Sequence, residues 1–151
     1  MIYSIGYGNR NNAHFLSLLE QFNIQILIDI RTNPVSRFQP NYSKKRLEDY
    51  LSQNGVKYVF MGAELGGKPK DQSLYLNGKL SYDLVDKSPD YKTGIQKLIQ
   101  LSEDVNTCIM CCELKPRECH RASMVGRTLL QLGTDVIHID ERGDIIPQSK
   151  L

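Results

Sequence analysis

Cys111-Cys-Glu-Leu-Lys-Pro-Arg-Glu-Cys-His-Arg121 gathers thiols, carboxylates, an imidazole and guanidinium groups between a strand pattern and a helix pattern. Before it, Val105 to Cys112 is a short run rich in β-branched and apolar residues, as in a buried strand. After it, Ala122, Val125, Leu129 and Leu132 recur at helical spacing, and Gly133 falls where a helix C-cap glycine belongs. Val136-Ile137-His138-Ile139 then repeats the buried-strand pattern. Strand, helix and strand within about thirty-five residues make a βαβ unit with a right-handed crossover. The reactive side chains therefore sit at the carboxyl end of a parallel strand, where open α/β sheets bind ligands.

Upstream, Met1 to Ile5 reads as a first strand and Gly6-Tyr7-Gly8 as a tight turn against which a ligand can press. Asn11 or Asn12 caps a helix whose apolar stripe is Phe15, Leu18, Leu19 and Phe22. Ile24 to Ile30 is a second strand. Asp29 and Arg31 at its end share a face by period-two alternation, so they either pair with each other or flank a ligand. The loop bounded by Pro34 and Pro40, with Ser36 and Arg37, is a candidate substrate loop. Ser43 caps a helix over Lys44 to Gln53, and Val56 to Phe60 is a third strand. Residues 61–82 break the rhythm with several glycines and the hairpin-type pair Asn77-Gly78, and read as an insertion or lid. Ser88-Pro89 opens a helix that turns Tyr91, Ile95, Leu98 and Ile99 inward. At the other end Ile145-Ile146-Pro147 is a short tail suited to an edge strand. The order β-α-β-α-β, insertion, α-β-α-β predicts one α/β domain over residues 1–151. It is a mainly parallel five-stranded sheet with helices on both faces, a Rossmann-like three-layer arrangement.

The 151 residues suffice for a core without staples, and 40% hydrophobic and 24% charged residues are ordinary for a soluble globular protein. No apolar run approaches the ~20 residues that span a bilayer, and the N-terminus lacks a signal-peptide pattern, so no membrane association and a cytoplasmic location are expected. All four cysteines fall between positions 108 and 119, too tight for a disulfide framework and suited to a reducing compartment. Net charge is only +2, but Arg31 to Leu47 carries Arg31, Arg37, Lys44, Lys45 and Arg46 with no acidic residue. Such a stretch meets phosphate or nucleic acid, or is a solvated surface.

Alternation along the Cys-rich strand puts Ile109, Cys111 and Glu113 on one face and Cys108, Met110 and Cys112 on the other. Cys108 and Cys112 pack as small hydrophobes, while Cys111 and Glu113 face a cleft. Cys119 and His120 open the following helix, where free N–H groups favour anions and a thiol beside His120 and Arg121 is biased toward thiolate. Three chemical readings follow. An anion-binding catalytic pocket uses Arg121 and the helix start for phosphate, Glu113 or Asp29 for proton exchange, and His120 or a thiol as assistant. A zinc site would use Cys111, Cys119 and His120, with or without Cys112. A redox pair would join Cys111 and Cys119. The plain alternative is a structural network in which Glu113 and Arg121 pair and His120 caps the helix. His138 reads as a satisfied core histidine.

With these residues assembled, the chain resembles the family called domain of unknown function 488. The resemblance rests on Ile5-Gly6-Tyr7-Gly8, Asp29-Ile30-Arg31 with Pro34, Ser36 and Arg37, Leu65-Gly66-Gly67, Met110-Cys111-Cys112-Glu113, Cys119-His120-Arg121 and His138-Ile139. It implies a compact α/β domain, singles out Cys111 as the family cysteine and brings no activity with it. The leading expectation is an intracellular enzyme acting on a phosphate-bearing substrate, a nucleotide or nucleic acid, by phosphoester or glycosidic-bond cleavage. Asp29 and Glu113 would be acid and base, Arg31, Arg37 and Arg121 anion clamps, and His120 an orienting or proton-transfer group. Cys111 and Cys119 are further catalytic candidates, and Gly6, Tyr7, Gly8 and Ser36 complete the binding set. This reading needs no metal and no cofactor. A non-catalytic nucleotide or nucleic-acid binding module is the alternative from another class.

Overall fold

A computed structural model describes residues 1–151. β1 (Ile2–Gly6) is buried along its length and leads to α1 (Asn12–Gln21). There Asn11 Oδ1 accepts the His14 N–H at 2.8 Å as the N-cap, and Phe15, Leu18 and Leu19 face inward. β2 (Ile26–Asp29) is followed by α2 (Lys44–Gln53), which buries Leu47 and Leu51, and by β3 (Lys57–Phe60). Ser43 stands at the start of α2, but its hydroxyl accepts the Ser36 N–H at 3.1 Å instead of capping its own helix. Residues 61–82 contain a short α3 (Gly62–Leu65) and a hairpin of β4 (Tyr75–Leu76) and β5 (Lys79–Leu80). The hairpin turns on Asn77 and Gly78, at φ 52° and 77°, as that dipeptide predicts. α4 (Tyr82–Lys87) and α5 (Pro89–Leu101) precede β6 (Thr107–Cys111). A wide π-helical turn, Arg121–Gly126, runs into α6 (Arg127–Gln131), then β7 (Ile137–Ile139) and β8 (Ile145–Pro147).

The main sheet has the order β3-β2-β6-β1-β7-β8. Every pairing is parallel except β7 with β8. The expected five strands are therefore six, because the Ile145–Pro147 tail pairs with β7, Ile139 opposite Ile145 and Ile137 opposite Pro147. The tail that the sequence marks as suited to an edge strand is thus the sixth, and an edge is where the missing proline donor is tolerated.

Alternate residues of the central strands feed two cores. Ile5, Leu27, Cys108 and Met110 pack against Phe15, Leu19, Leu47 and Leu51 of α1 and α2. On the other face Ile2, Ile28 and Ile109 meet Tyr91, Ile95 and Leu98 of α5 and Val125 and Leu129 of the last helix. The helices after the neighbouring strands β1 and β6 thus lie on opposite faces, which opens a crevice at the carboxyl ends of those strands. No helix is long and apolar enough to cross a membrane.

Candidate functional site

That crevice is a cavity of about 400 Å³ lined by Tyr7, Arg31, Lys68, Cys111, Glu113 and His120 among others. Cys119 also borders it. Ends of β1, β2 and β6 and the first turn of the last helix therefore converge. Asp29 and Arg121 lie behind the wall, fully buried. Gly6, Gly8, Ser36 and Arg37 are not part of the lining. The Ser36 hydroxyl accepts the Gln39 N–H at 3.2 Å, Gly8 receives the Gln39 side-chain amide on its carbonyl, and Arg37 is exposed.

Asp29 and Arg31 do share a face, and they form a bidentate pair, Nε to Oδ1 at 2.9 Å and Nη2 to Oδ2 at 2.8 Å. Oδ1 also accepts the Arg31 N–H at 3.1 Å, and Oδ2 accepts the Tyr58 hydroxyl at 2.6 Å. Both oxygens are doubly engaged, so this carboxylate orients Arg31 and has no free lone pair for a substrate. Burial disfavours the Arg31 charge, but the hydrogen bond and charge of Asp29 outweigh it and raise the guanidinium's pKa. Arg31 is 6% exposed, its Cζ lies 5.3 Å from the Tyr7 ring centroid, and its Nη1 is buried with no hydrogen-bond partner. A fixed cationic donor is thus held at the cavity wall.

Arg121 serves the backbone. Nε donates to Ser4 Oγ at 3.0 Å, Nη2 to the Leu114 carbonyl at 2.9 Å, and Nη1 to the Glu113 carbonyl and to Cys111 Sγ at 3.1 Å. Burial lowers its pKa to about 10, which leaves it charged at neutral pH. Its donors are committed to the loop after β6, so it shapes the site from beneath and presents no group to an anion. Gly6 belongs to the same arrangement: an added Cβ would lie 1.7 Å from the Glu113 carbonyl oxygen and 2.9 Å from Arg121 Nη1. Only glycine lets β1 accept that loop.

His120 donates from Nε2 to the Ile30 carbonyl at 2.9 Å, which leaves Nδ1 as the lone-pair nitrogen, 3.7 Å from Cys119 Sγ. Burial, with the Arg121 charge, lowers its pKa, so the ring is neutral at pH 7. Cys111 and Cys119 are joined as a disulfide across a sequence separation of eight. The clustering of cysteines argues against a disulfide framework, yet the loop after β6 folds back far enough for one bond. Cys108 is buried and free, and burial pushes its thiol pKa up. Cys112, expected in the core, is exposed beside Glu113, with Sγ 3.7 Å from Oε1. The strand ends at Cys111, so alternation no longer governs the next residue. No three His, Cys, Asp or Glu side chains converge as they would around a metal ion.

Asn33, at the edge of the expected substrate loop, and Gly67, of the Leu65-Gly66-Gly67 match, also line the cavity, as does Lys68, which the sequence did not single out. A Cβ on Gly67 would lie 2.9 Å from the His120 ring, so the backbone at Gly67 leans directly on the imidazole. The Lys68 N–H is held by Thr32 Oγ1 at 3.0 Å. The available signal was a cation directly after a glycine pair.

The sequence model of the family described as Domain of unknown function DUF488 matches residues 12–127. The chain belongs to that family. The matched span of this DUF488 protein holds β2, β6 and the Cys119–Arg121 turn, while Ile5–Gly8 and His138–Ile139 lie outside it. Among curated proteins none matches the chain in sequence. Its fold is similar to the crystal structure described as "Putative phosphatase (DUF442)" from Shewanella putrefaciens CN-32. The TM-score is 0.51 at 14% identity, over 87% of this chain and 67% of that one.

Proposed function

We propose that this DUF488 protein is an enzyme that hydrolyses a phosphate ester of a small molecule, the phosphate seated against Arg31 Nη1 and Lys68. The observation that carries this reading is Arg31, which lines the cavity and whose buried Nη1 has no hydrogen-bond partner. A buried guanidinium donor without an acceptor is costly, and an anionic oxygen supplies the missing bond. The fold shared with a protein described as a phosphatase supports a phosphate-related role. A small substrate is favoured over nucleic acid because the cations that line the cavity are Arg31 and Lys68, while Arg37, Lys44, Lys45 and Arg46 lie exposed outside it. Arg31 is clasped by Asp29, Lys45 pairs with Asp49 at 3.3 Å, and Lys44 lies 4.7 Å from the Phe60 ring centroid.

In this reading water attacks phosphorus, Glu113 takes its proton and then returns it to the leaving oxygen, and Arg31 and Lys68 hold the phosphoryl charge. Asp29 and Arg121 are positioning residues, and the segment 61–82 covers the site through Lys68. Arg31→Lys keeps a cation opposite Asp29 but removes the fork. It should weaken binding of inorganic phosphate about tenfold by titration calorimetry, the worth of one charge-assisted hydrogen bond. Lys68→Ala, at an exposed position, should weaken it as well without unfolding risk. Glu113→Gln should bind phosphate normally and lose on the order of 100-fold in turnover. Native-like phosphate affinity in both cation variants would remove the proposal.

The disulfide in the cavity wall favours a second reading, thiol–disulfide exchange. A dithiol reductant would pass two electrons to Cys111–Cys119, giving two protein thiols and the reductant's disulfide. It predicts dithiol-dependent turnover of a small disulfide that disappears in the Cys111→Ser/Cys119→Ser double variant and persists in Glu113→Gln.

A further inference from the structure

A second cavity, about 370 Å³, adjoins the first, and Thr32 lines both. The segment after α3 also lines both: Gly67 and Lys68 the first cavity, Gly66, Pro69, Lys70 and Asp71 the second. The second cavity's apolar lining residues include Phe60, Leu74, Val85, Tyr91 and Met124. Glu64 lines this space, and its Oε2 is buried and has no hydrogen-bond partner. Glu64 is held there by close packing of α3 on α5, since a Cβ added to Gly94 would lie 2.6 Å from Glu64 Cβ. Each cavity is thus lined by one residue with a buried, unpartnered polar atom, cationic at Arg31 and anionic at Glu64.

We propose that the second cavity binds a nucleobase bearing adjacent N–H donors, so that the substrate is a nucleoside phosphate with its base at Glu64 and its phosphate at Arg31. This assignment rests on the phosphate reading above. The volume falls in the range of small-molecule sites, and apolar residues beside a few placed polar groups, here Glu64 with Lys70, Asp71 and Asp90, are how such sites fix orientation. A carboxylate presents two oxygens side by side, so the partner that answers it best offers two parallel N–H groups. Guanine has that edge, a ring N–H beside an exocyclic amino group. An aliphatic amine would satisfy Glu64 but leave the apolar walls uncovered.

Titration calorimetry of the full chain with guanosine 5′-monophosphate, inosine 5′-monophosphate, guanosine and ribose 5-phosphate tests the assignment. Guanosine monophosphate is expected to bind at least tenfold more tightly than the inosine compound or ribose 5-phosphate. Glu64→Gln should erase that preference, and Gly94→Ala, which displaces Glu64 without removing it, should reduce it. Equal affinities for guanosine monophosphate and ribose 5-phosphate overturn the proposal, as does a preference that survives both variants. Guanosine separates the two hypotheses. If it binds and loses affinity in Glu64→Gln while ribose 5-phosphate does not bind, the base site stands and the phosphate site falls. Failure of guanosine and its monophosphate to bind removes the base site.

Discussion

At the scale of single residues, Asp29 decides how the site is built without touching what the site holds. Period-two alternation was enough to place it on the same face as Arg31, but not to choose between pairing and ligand contact. The fourth partner, the Tyr58 hydroxyl, comes from β3, and the β2–β3 register is a non-local fact. A buried pair broken on one side leaves the other charge uncompensated, at a cost of roughly 3–5 kcal/mol. Asp29→Asn should therefore lower the unfolding free energy by about 3 kcal/mol in urea titrations, together with phosphate affinity. Tyr58→Phe removes one hydrogen bond to a charged group and should cost about 2 kcal/mol. An Asp29→Asn protein of native stability and affinity, defective only in turnover, would return Asp29 to the role of proton carrier.

Between elements, a buried polar chain ties β1, the π-helical turn, β7 and the tail after β8. Arg121 Nε donates to Ser4 Oγ, and Ser4 to His138 Nδ1 at 2.5 Å. His138 Nε2 donates to Gln148 Oε1 at 2.6 Å, and Gln148 Nε2 to the Ala122 carbonyl at 3.2 Å. Each donor meets an acceptor only if His138 is neutral and protonated on Nε2. Burial, with the nearby Arg121 charge, lowers its pKa from 6.5 to about 4 despite the Gln148 bond. Since the folded pKa lies below the unfolded one, the unfolded chain binds the proton first. Stability from this group is full above pH 6.5 and is lost as pH falls toward 4. At about 1.4 kcal/mol per pH unit the loss is roughly 3 kcal/mol. Urea midpoints between pH 7 and 4 should show it, and His138→Gln should flatten the slope. An unchanged slope in that variant would mean that other groups carry the acid sensitivity. The strand pattern Val136–Ile139 did reveal a core histidine. It could not reveal Gln148, which arrives from beyond a three-residue edge strand. α4 was missed for a related reason: six residues are too few for a 3.6-residue period to stand out.

Over the whole molecule, alternation of strand and helix patterns was legible because each pattern is local, whereas the insertion of β6 between β2 and β1 was not. That insertion creates the crevice. It brings Cys111 at the end of β6 to the first turn of the last helix, beside the ends of β1 and β2, and the Cys111–Cys119 bond ties the two segments together. A cross-link of that short span restricts the unfolded chain by about 2–3 kcal/mol on the loop-entropy account. Reduction should therefore lower the unfolding free energy by about that amount and loosen the loop that carries Glu113. Denatured without reductant, the protein should titrate as two thiols, Cys108 and Cys112, and in the native state Cys112 should react first because Cys108 is buried. Four reactive thiols before reduction would show that the cavity floor is held by Arg121 and its backbone bonds alone. In that case the exchange reading loses its only covalent support, while the phosphate reading, which depends on Arg31 Nη1, is untouched.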